Sequence, residues 1–294
     1  MRSMLFLPAD SEKKIAKGAD SGADGLILDL EDSVASGRKA IGRKLARSYL
    51  DAHPVGARRQ PLLVRVNPLQ SGMALVDLAA VAGGAPDYVI LPKYRTADDV
   101  RALDHYLSAL EVREGVPSGH IRIFVLATET AEGVFNLAGL AGSSPRLSHV
   151  AWAEFDLGAA VGAQDQFLDD GAWDDLYRTA RGLGLAAAVA ARAEPCNTVY
   201  IDYKNPDGLS AMARAARRAG FTCMMAIHPN QVATINEAFS VTESELEWSR
   251  RVVEAFAADP EAGVIGLDGI MLDLPHLNQA KRTLARAAAE RGRG

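Results

Sequence analysis

Six acidic side chains and two cations fall where short apolar runs end, a combination suited to holding a hard cation beside a carboxylate-bearing substrate. LDLEDS carries Asp29, Glu31 and Asp32, VRVN carries Arg65, VILPK ends in Lys93, TET holds Glu129, and AEFD holds Glu154 and Asp156. Glu129 and Asp156 lie 27 residues apart, about one strand–helix unit, so they should point from adjacent strands toward one place. Magnesium takes one or two protein carboxylates and completes its octahedron with water and substrate oxygens, which suits such a pair. Taken singly, each acid also reads as a helix N-cap, because Thr128, Glu129 and Thr130 directly precede a helical segment. The concentration of acids around an arginine favours the functional reading. Arg65 interrupts an apolar run, where an unpaired guanidinium is costly. It either bridges to Asp29 or Glu31 as a structural ion pair or grips a substrate carboxylate in a two-pronged fork, and the residues leave both open. His228, in AIHPNQ, reads as a turn-stabilising side chain before Pro229, and GLGLAAAVA (182 to 190) as helix packing. A GxSxG elbow and a P-loop are both absent.

These residues need a scaffold that brings strand ends together. Eight short apolar runs recur, at 3 to 8, 25 to 30, 62 to 67, 88 to 93, 121 to 128, 147 to 154, 197 to 202 and 223 to 229. The segments between them, such as 38 to 51, 97 to 114 and 174 to 193, are rich in Ala, Leu and Arg at helical spacing. Eight alternating units predict a closed parallel (β/α)8 TIM barrel, residues 1 to 240, with working residues at the C-terminal strand ends. Residues 241 to 294 form an extension: a helix at 243 to 258, a Gly-rich apolar segment at 263 to 275 and a final amphipathic helix.

Composition narrows the function classes. The 294 residues are 48% hydrophobic and 23% charged, enough for one large core. Net charge is −5 and the 32 basic residues are spread along the chain, which argues against nucleic acid as a partner. No apolar run reaches the length of a membrane span, and the start of the chain lacks a signal-like apolar region, so a cytoplasmic protein is expected. Cys196 and Cys223 sit in apolar segments without ligand spacing and read as reduced core residues.

Seven segments, RSMLFLPAD, LILDLEDSV, VRVN, VILPK, TETAEG, AIHPNQ and IMLDLPHL, stand in the order found in citrate lyase beta-subunit-like proteins. The chain resembles that group of the HpcH/HpaI aldolase/citrate lyase family, which also contains malyl-coenzyme A lyases. The resemblance implies a (β/α)8 barrel assembled as trimers or hexamers, with Mg²⁺ held by Glu129 and Asp156 and a substrate carboxylate gripped by Arg65. Glu31 and Asp32 would then orient metal-bound water. Coenzyme A, as part of the substrate, would lie across the barrel mouth with its phosphates near Arg2 and Lys17. An Asp at the position of Asp273 would reach the active site of a neighbouring subunit and exchange a proton with the acetyl methyl carbon. Where the family reads Gly-x-Glu-Asp-Leu, this chain has Ala153, Glu154, Phe155, Asp156 and Leu157. Asp156 is kept but Phe155 replaces an acid, which points away from the family's usual substrate. The function expected is a Mg-dependent carbon–carbon lyase or thioesterase acting on a malyl-, citramalyl- or citryl-type thioester. Its competitors are a catalytically weak ester-binding paralogue or complex subunit, and a thioester-independent hydroxy-keto-acid aldolase.

Overall fold

The computed structural model describes residues 1–291. The chain divides into two compact units, Met1–Ala238 and Phe239–Gly294. In the first, eight parallel strands close into a barrel in sequence order: β1 (Ser3–Pro8), β2 (Gly25–Asp29), β3 (Leu62–Arg65), β4 (Tyr88–Leu91), β5 (Arg122–Leu126), β6 (Leu147–Ala151), β7 (Glu194–Asn197) and β8 (Cys223–Ala226). Helices α1 (Glu12–Ala19), α2 (Lys39–Ala52), α3 (Ala74–Val81), α4 (Ala97–Glu114), α5 (Ala131–Phe135), α6 (Phe155–Val161), α7 (Asp175–Ala190), α8 (Pro206–Ala219) and α9 (Val232–Phe239) fill the connections. The (β/α)8 expectation is met. Strands this short are buried on both faces, which is why they read as continuous apolar runs. Met4, Ile27, Leu63, Ile90, Phe124, Cys196, Cys223 and Met225 pack together as one buried core cluster, the two cysteines free and fully buried.

Local chemistry sets the helix ends. Thr96 and Asp99 form a capping box at the start of α4, and Gly115 ends it in the left-handed conformation. Asn205 caps α8, Pro206 occupies its first turn, and Gly220 closes it. The seventh strand differs from the sequence reading. Residues 198 to 202 lie beyond β7 as a rim loop, with Ile201 exposed, and the strand instead begins at Glu194 and admits Pro195 as its second residue. No helix among the described residues is long and apolar enough to cross a membrane.

The N-terminal end of the barrel carries a buried ion-pair network. Arg146, just before β6, holds Glu111 of α4 through both terminal nitrogens at 2.8 and 2.7 Å and Asp104 through Nε at 2.6 Å. Burial opposes the charge on Glu111, but the Arg146 fork and the amides of Ile121 and Gly119 outweigh it and hold its pKa below the usual carboxylate range. A depressed pKa stabilises the fold above the unfolded value of about 4, and that contribution is lost as pH falls through the folded value. Arg146→Ala, which leaves Glu111 buried without its partner, should cost about 3–5 kcal/mol of stability. Denaturant unfolding at neutral pH checks this, and the loss should shrink at acidic pH.

In the second unit, α10 (Glu243–Ala258) starts at a Thr242–Glu245 capping box. The Gly-rich segment is a hairpin of β9 (Val264–Leu267) and β10 (Ile270–Asp273), followed by α11 (Leu274–Arg291). Asp268 and Gly269 form its two-residue turn with φ of 52° and 77°, the left-handed pair that joins such strands without splaying them. Val252, Phe256, Leu272 and Ala280 form the buried core of this unit.

Candidate active site

The acids gather at the C-terminal rim of the barrel around one ammonium group. Glu129 follows β5 at a loop held by the Thr130 hydroxyl, which donates to the Tyr94 carbonyl at 2.6 Å and accepts from the Gly133 amide at 2.9 Å. A side chain at Gly133 would collide with the carbonyls of Tyr94 and Ala127, at 2.5 and 2.7 Å from its Cβ, so only glycine lets this loop close. Asp156 lies in the first turn of α6. Lys93, after β4, reaches into the space between them. Its Nζ contacts Asp156 Oδ1 and stands 3.8 Å from Glu129, 3.8 Å from Glu31 and 3.6 Å from Asp32. Its backbone is left-handed at φ 52°, and its amide donates to Glu129 Oε2.

The electrostatics follow from this crowding. Burial disfavours the charge on Lys93, yet Glu129, Asp156 and Glu31 outweigh it and raise its pKa above the ordinary lysine value. Glu129 is 2% exposed, and burial lifts its pKa well above the usual range despite Lys93. Glu31 is raised to about 7 by burial, which Arg65 and Lys93 offset only in part. Its Oε2 lies 2.9 Å from Arg65 Nη1 but makes no hydrogen bond, leaving a buried acceptor unsatisfied.

Arg65 makes the ion pairs that the first of its two sequence alternatives expected. Its Nε and Nη2 donate to the two oxygens of Asp29 at 2.7 Å each, its Cζ lies over the Phe6 ring 4.6 Å from the centroid, and Glu31 flanks Nη1. The side edge of the fork is therefore spent on a buried aspartate. Asp29 also accepts the amides of Glu31 and Ser33, which fixes the turn that carries Glu31 and Asp32.

Other expected residues lie elsewhere. Arg2 precedes β1 and so stands at the N-terminal end of the barrel, opposite the mouth, where its amide and side chain bind Asp24 at 2.7 to 3.0 Å. The parallel course of the strands rules out its expected place beside a ligand at the mouth. Lys17 is exposed in the last turn of α1, the end of that helix pointing away from the rim. Asp273 ends β10, with its Oδ1 2.5 Å from His276 Nδ1. His228 acts at the turn, its Nδ1 accepting the Asn230 amide at 3.2 Å. The sequence reading listed Lys93 as a rim cation without giving it a role, although its place at the end of VILPK was the available signal. Glu154, beside the family-departing Phe155, is buried, hydrogen-bonds to Thr198, and is raised to about 8 by burial.

Glu129 and Asp156 offer hard oxygen donors, and Lys93 already supplies a positive charge between them, so the space suits a cation. Among the described residues no group of three or more His, Cys, Asp or Glu side chains is arranged to hold a metal. A magnesium site of two carboxylates does not require one.

Comparison with known proteins agrees with this architecture. The chain is 33% identical over 290 residues to the (3S)-malyl-CoA thioesterase of Cereibacter sphaeroides, covering 98% of this chain and 95% of that protein. It is 34% identical over 283 residues to a citrate lyase subunit beta-like protein of Mycobacterium tuberculosis, covering 96% and 94%. The crystal structure of protein CitE from M. tuberculosis in complex with magnesium, acetoacetate and coenzyme A superimposes with a TM-score of 0.79 at 32% identity, covering 98% of this chain and all of that one. With residues 2–229 matching its family model, this chain belongs to the HpcH/HpaI aldolase/citrate lyase family.

Proposed function

We propose that this protein is a cytoplasmic, Mg-dependent carbon–carbon lyase that cleaves a malyl-, citramalyl- or citryl-type coenzyme A thioester to acetyl-CoA and a short keto acid. The observation that carries the reading is the cation-centred cluster of Glu129, Asp156, Glu31 and Asp32 at the barrel mouth. Glu129 and Asp156 would hold Mg²⁺, whose charge would stabilise the hydroxyl oxygen as it loses its proton ahead of carbon–carbon cleavage. Glu31 and Asp32 position water at the same place, the unsatisfied Glu31 Oε2 being ready to accept from it. Arg65 keeps Nε and Nη2 on Asp29 and offers Nη1, beside Glu31, to the substrate carboxylate. Water held by Glu31 and Asp32 would take the proton of the substrate hydroxyl, whose oxygen closes the keto group, while the electron pair of the broken carbon–carbon bond passes to the acetyl carbon, which takes a proton from Asp273 of a neighbouring subunit in a trimer or hexamer. For the coenzyme A phosphates, Lys13 and Lys14 in the first turn of α1, directly after β1, are candidates by position, with Lys17 farther along the helix.

Arg65→Lys keeps a charge beside Asp29 but loses the fork. KM for the thioester should rise about tenfold or more while kcat changes less, the mark of lost ground-state binding. A wild-type KM in the folded variant would remove the substrate role. The function itself is tested by a thioester panel assayed with Mg²⁺ and with EDTA. Acetyl-CoA together with a keto acid, formed only with metal, is the expected product set. Free coenzyme A with an intact hydroxy acid would mark a thioesterase, and tight binding without turnover a paralogue that has lost catalysis.

A further inference from the structure

The two cations among the rim acids are both engaged. Arg65 is locked to Asp29 by two hydrogen bonds, and Lys93 is the sole ammonium among the described residues that contacts Glu31, Asp32, Glu129 and Asp156 together. Four carboxylates this close repel one another unless positive charge stands between them. Lys93 reaches that point through a left-handed backbone that a lysine rarely adopts, and its own amide is tied to Glu129 Oε2. The backbone is thus set so that the side chain, 24% exposed, enters the space between the acids.

We infer that Lys93 is a built-in counter-cation, which holds the acid cluster together without metal and competes with a divalent cation for it. The inference rests on the reading of Glu129 and Asp156 as metal ligands. An ammonium in contact with Asp156 Oδ1 takes up one of that oxygen's acceptor positions and repels a divalent ion drawn to the same acids. Lys93 therefore sets the affinity for the metal: it stabilises the empty cluster more than the filled one, and opposes filling by that difference. The two effects are one coupling free energy seen from two sides, and they must change together.

The test compares wild type with Lys93→Met, which keeps length and removes charge. Calorimetric titration of metal-stripped protein with MgCl₂ should give an affinity about tenfold tighter, or more, in the variant. Thermal unfolding should show the reciprocal effect: a large fall in Tm without metal and a much smaller one at saturating Mg²⁺. Should Lys93→Met not fold without metal, Lys93→Gln, which keeps a donor toward Asp156 without the charge, is purified with Mg²⁺ and titrated with EDTA, and should release the ion at higher chelator than wild type. Mg²⁺ binding by wild type with equal or weaker affinity in the variants would overturn the inference while leaving the metal site standing. Equal Tm losses with and without Mg²⁺ would do the same. No Mg²⁺ binding by wild type would instead overturn the metal site, and the inference with it.

Discussion

Asp156→Ala and Glu129→Gln should each lower turnover of the thioester about a thousandfold or more, with the barrel still folded. Either change removes one of two protein donors, and a metal that stabilises developing charge contributes several kcal/mol, with 1.36 kcal/mol for each tenfold. The two substitutions should differ in the metal-free protein. Asp156 is partly exposed, and its loss takes away the closest contact of Lys93. Glu129 is buried, and glutamine keeps an acceptor for the Lys93 amide while relieving a carboxylate held in a poorly hydrated place. Glu129→Gln should therefore be at least as stable as wild type without metal, measured by thermal unfolding. Full activity with unchanged Mg²⁺ affinity in Asp156→Ala would overturn the assignment.

Asp273→Asn should be inactive as a homo-oligomer, yet regain part of its activity when mixed with inactive Asp156→Ala subunits. The asparagine cannot donate or take the proton at the acetyl carbon, whereas the Asp156 variant keeps Asp273 but lacks a metal donor. Only a site built from two subunits can bring an intact Asp273 to an intact acid pair. Asp156→Ala serves better here than Arg65→Ala, which would strip the buried Asp29 of its partner and endanger the fold. The β9–β10 hairpin that carries Asp273 exposes Val264, Ile270 and Met271, and apolar side chains so placed suit contact with another subunit. Mixed oligomers that form, as shown by mass spectrometry, and remain inactive would return Asp273 to a structural role beside His276.

The barrel was legible because strands buried on both faces leave uninterrupted apolar runs, and because helix spacing separates them clearly. The seventh strand was misplaced since Val199, Tyr200 and Ile201 have the composition of a strand, while Pro195 argued against the true one. Hydrogen bonding to both neighbouring strands, not local propensity, selects Glu194–Asn197. The C-terminal hairpin carried its signal in Asp268–Gly269 and could have been read from that pair. At the site, strand ends identified Glu129, Asp156, Glu31 and Asp32 correctly as rim residues. What spacing could not supply was pairing. That Arg65 spends its fork on Asp29, and that Lys93 stands among four acids, depends on side-chain geometry across strands β2 to β6. Arg2 was misjudged for a simpler reason: nearness to the start of the chain was taken as nearness to the mouth, although a strand that ends at the rim begins at the opposite face.

The most direct measurement of the central claim is the anomalous scattering of Mn²⁺, a stand-in for Mg²⁺, in crystals of the protein. The account predicts a single strong peak within bonding distance of the Glu129 and Asp156 carboxylates at the mouth of the barrel. A barrel mouth without a peak under saturating Mn²⁺, or a peak bound by other residues with Glu129 and Asp156 unengaged, would contradict it.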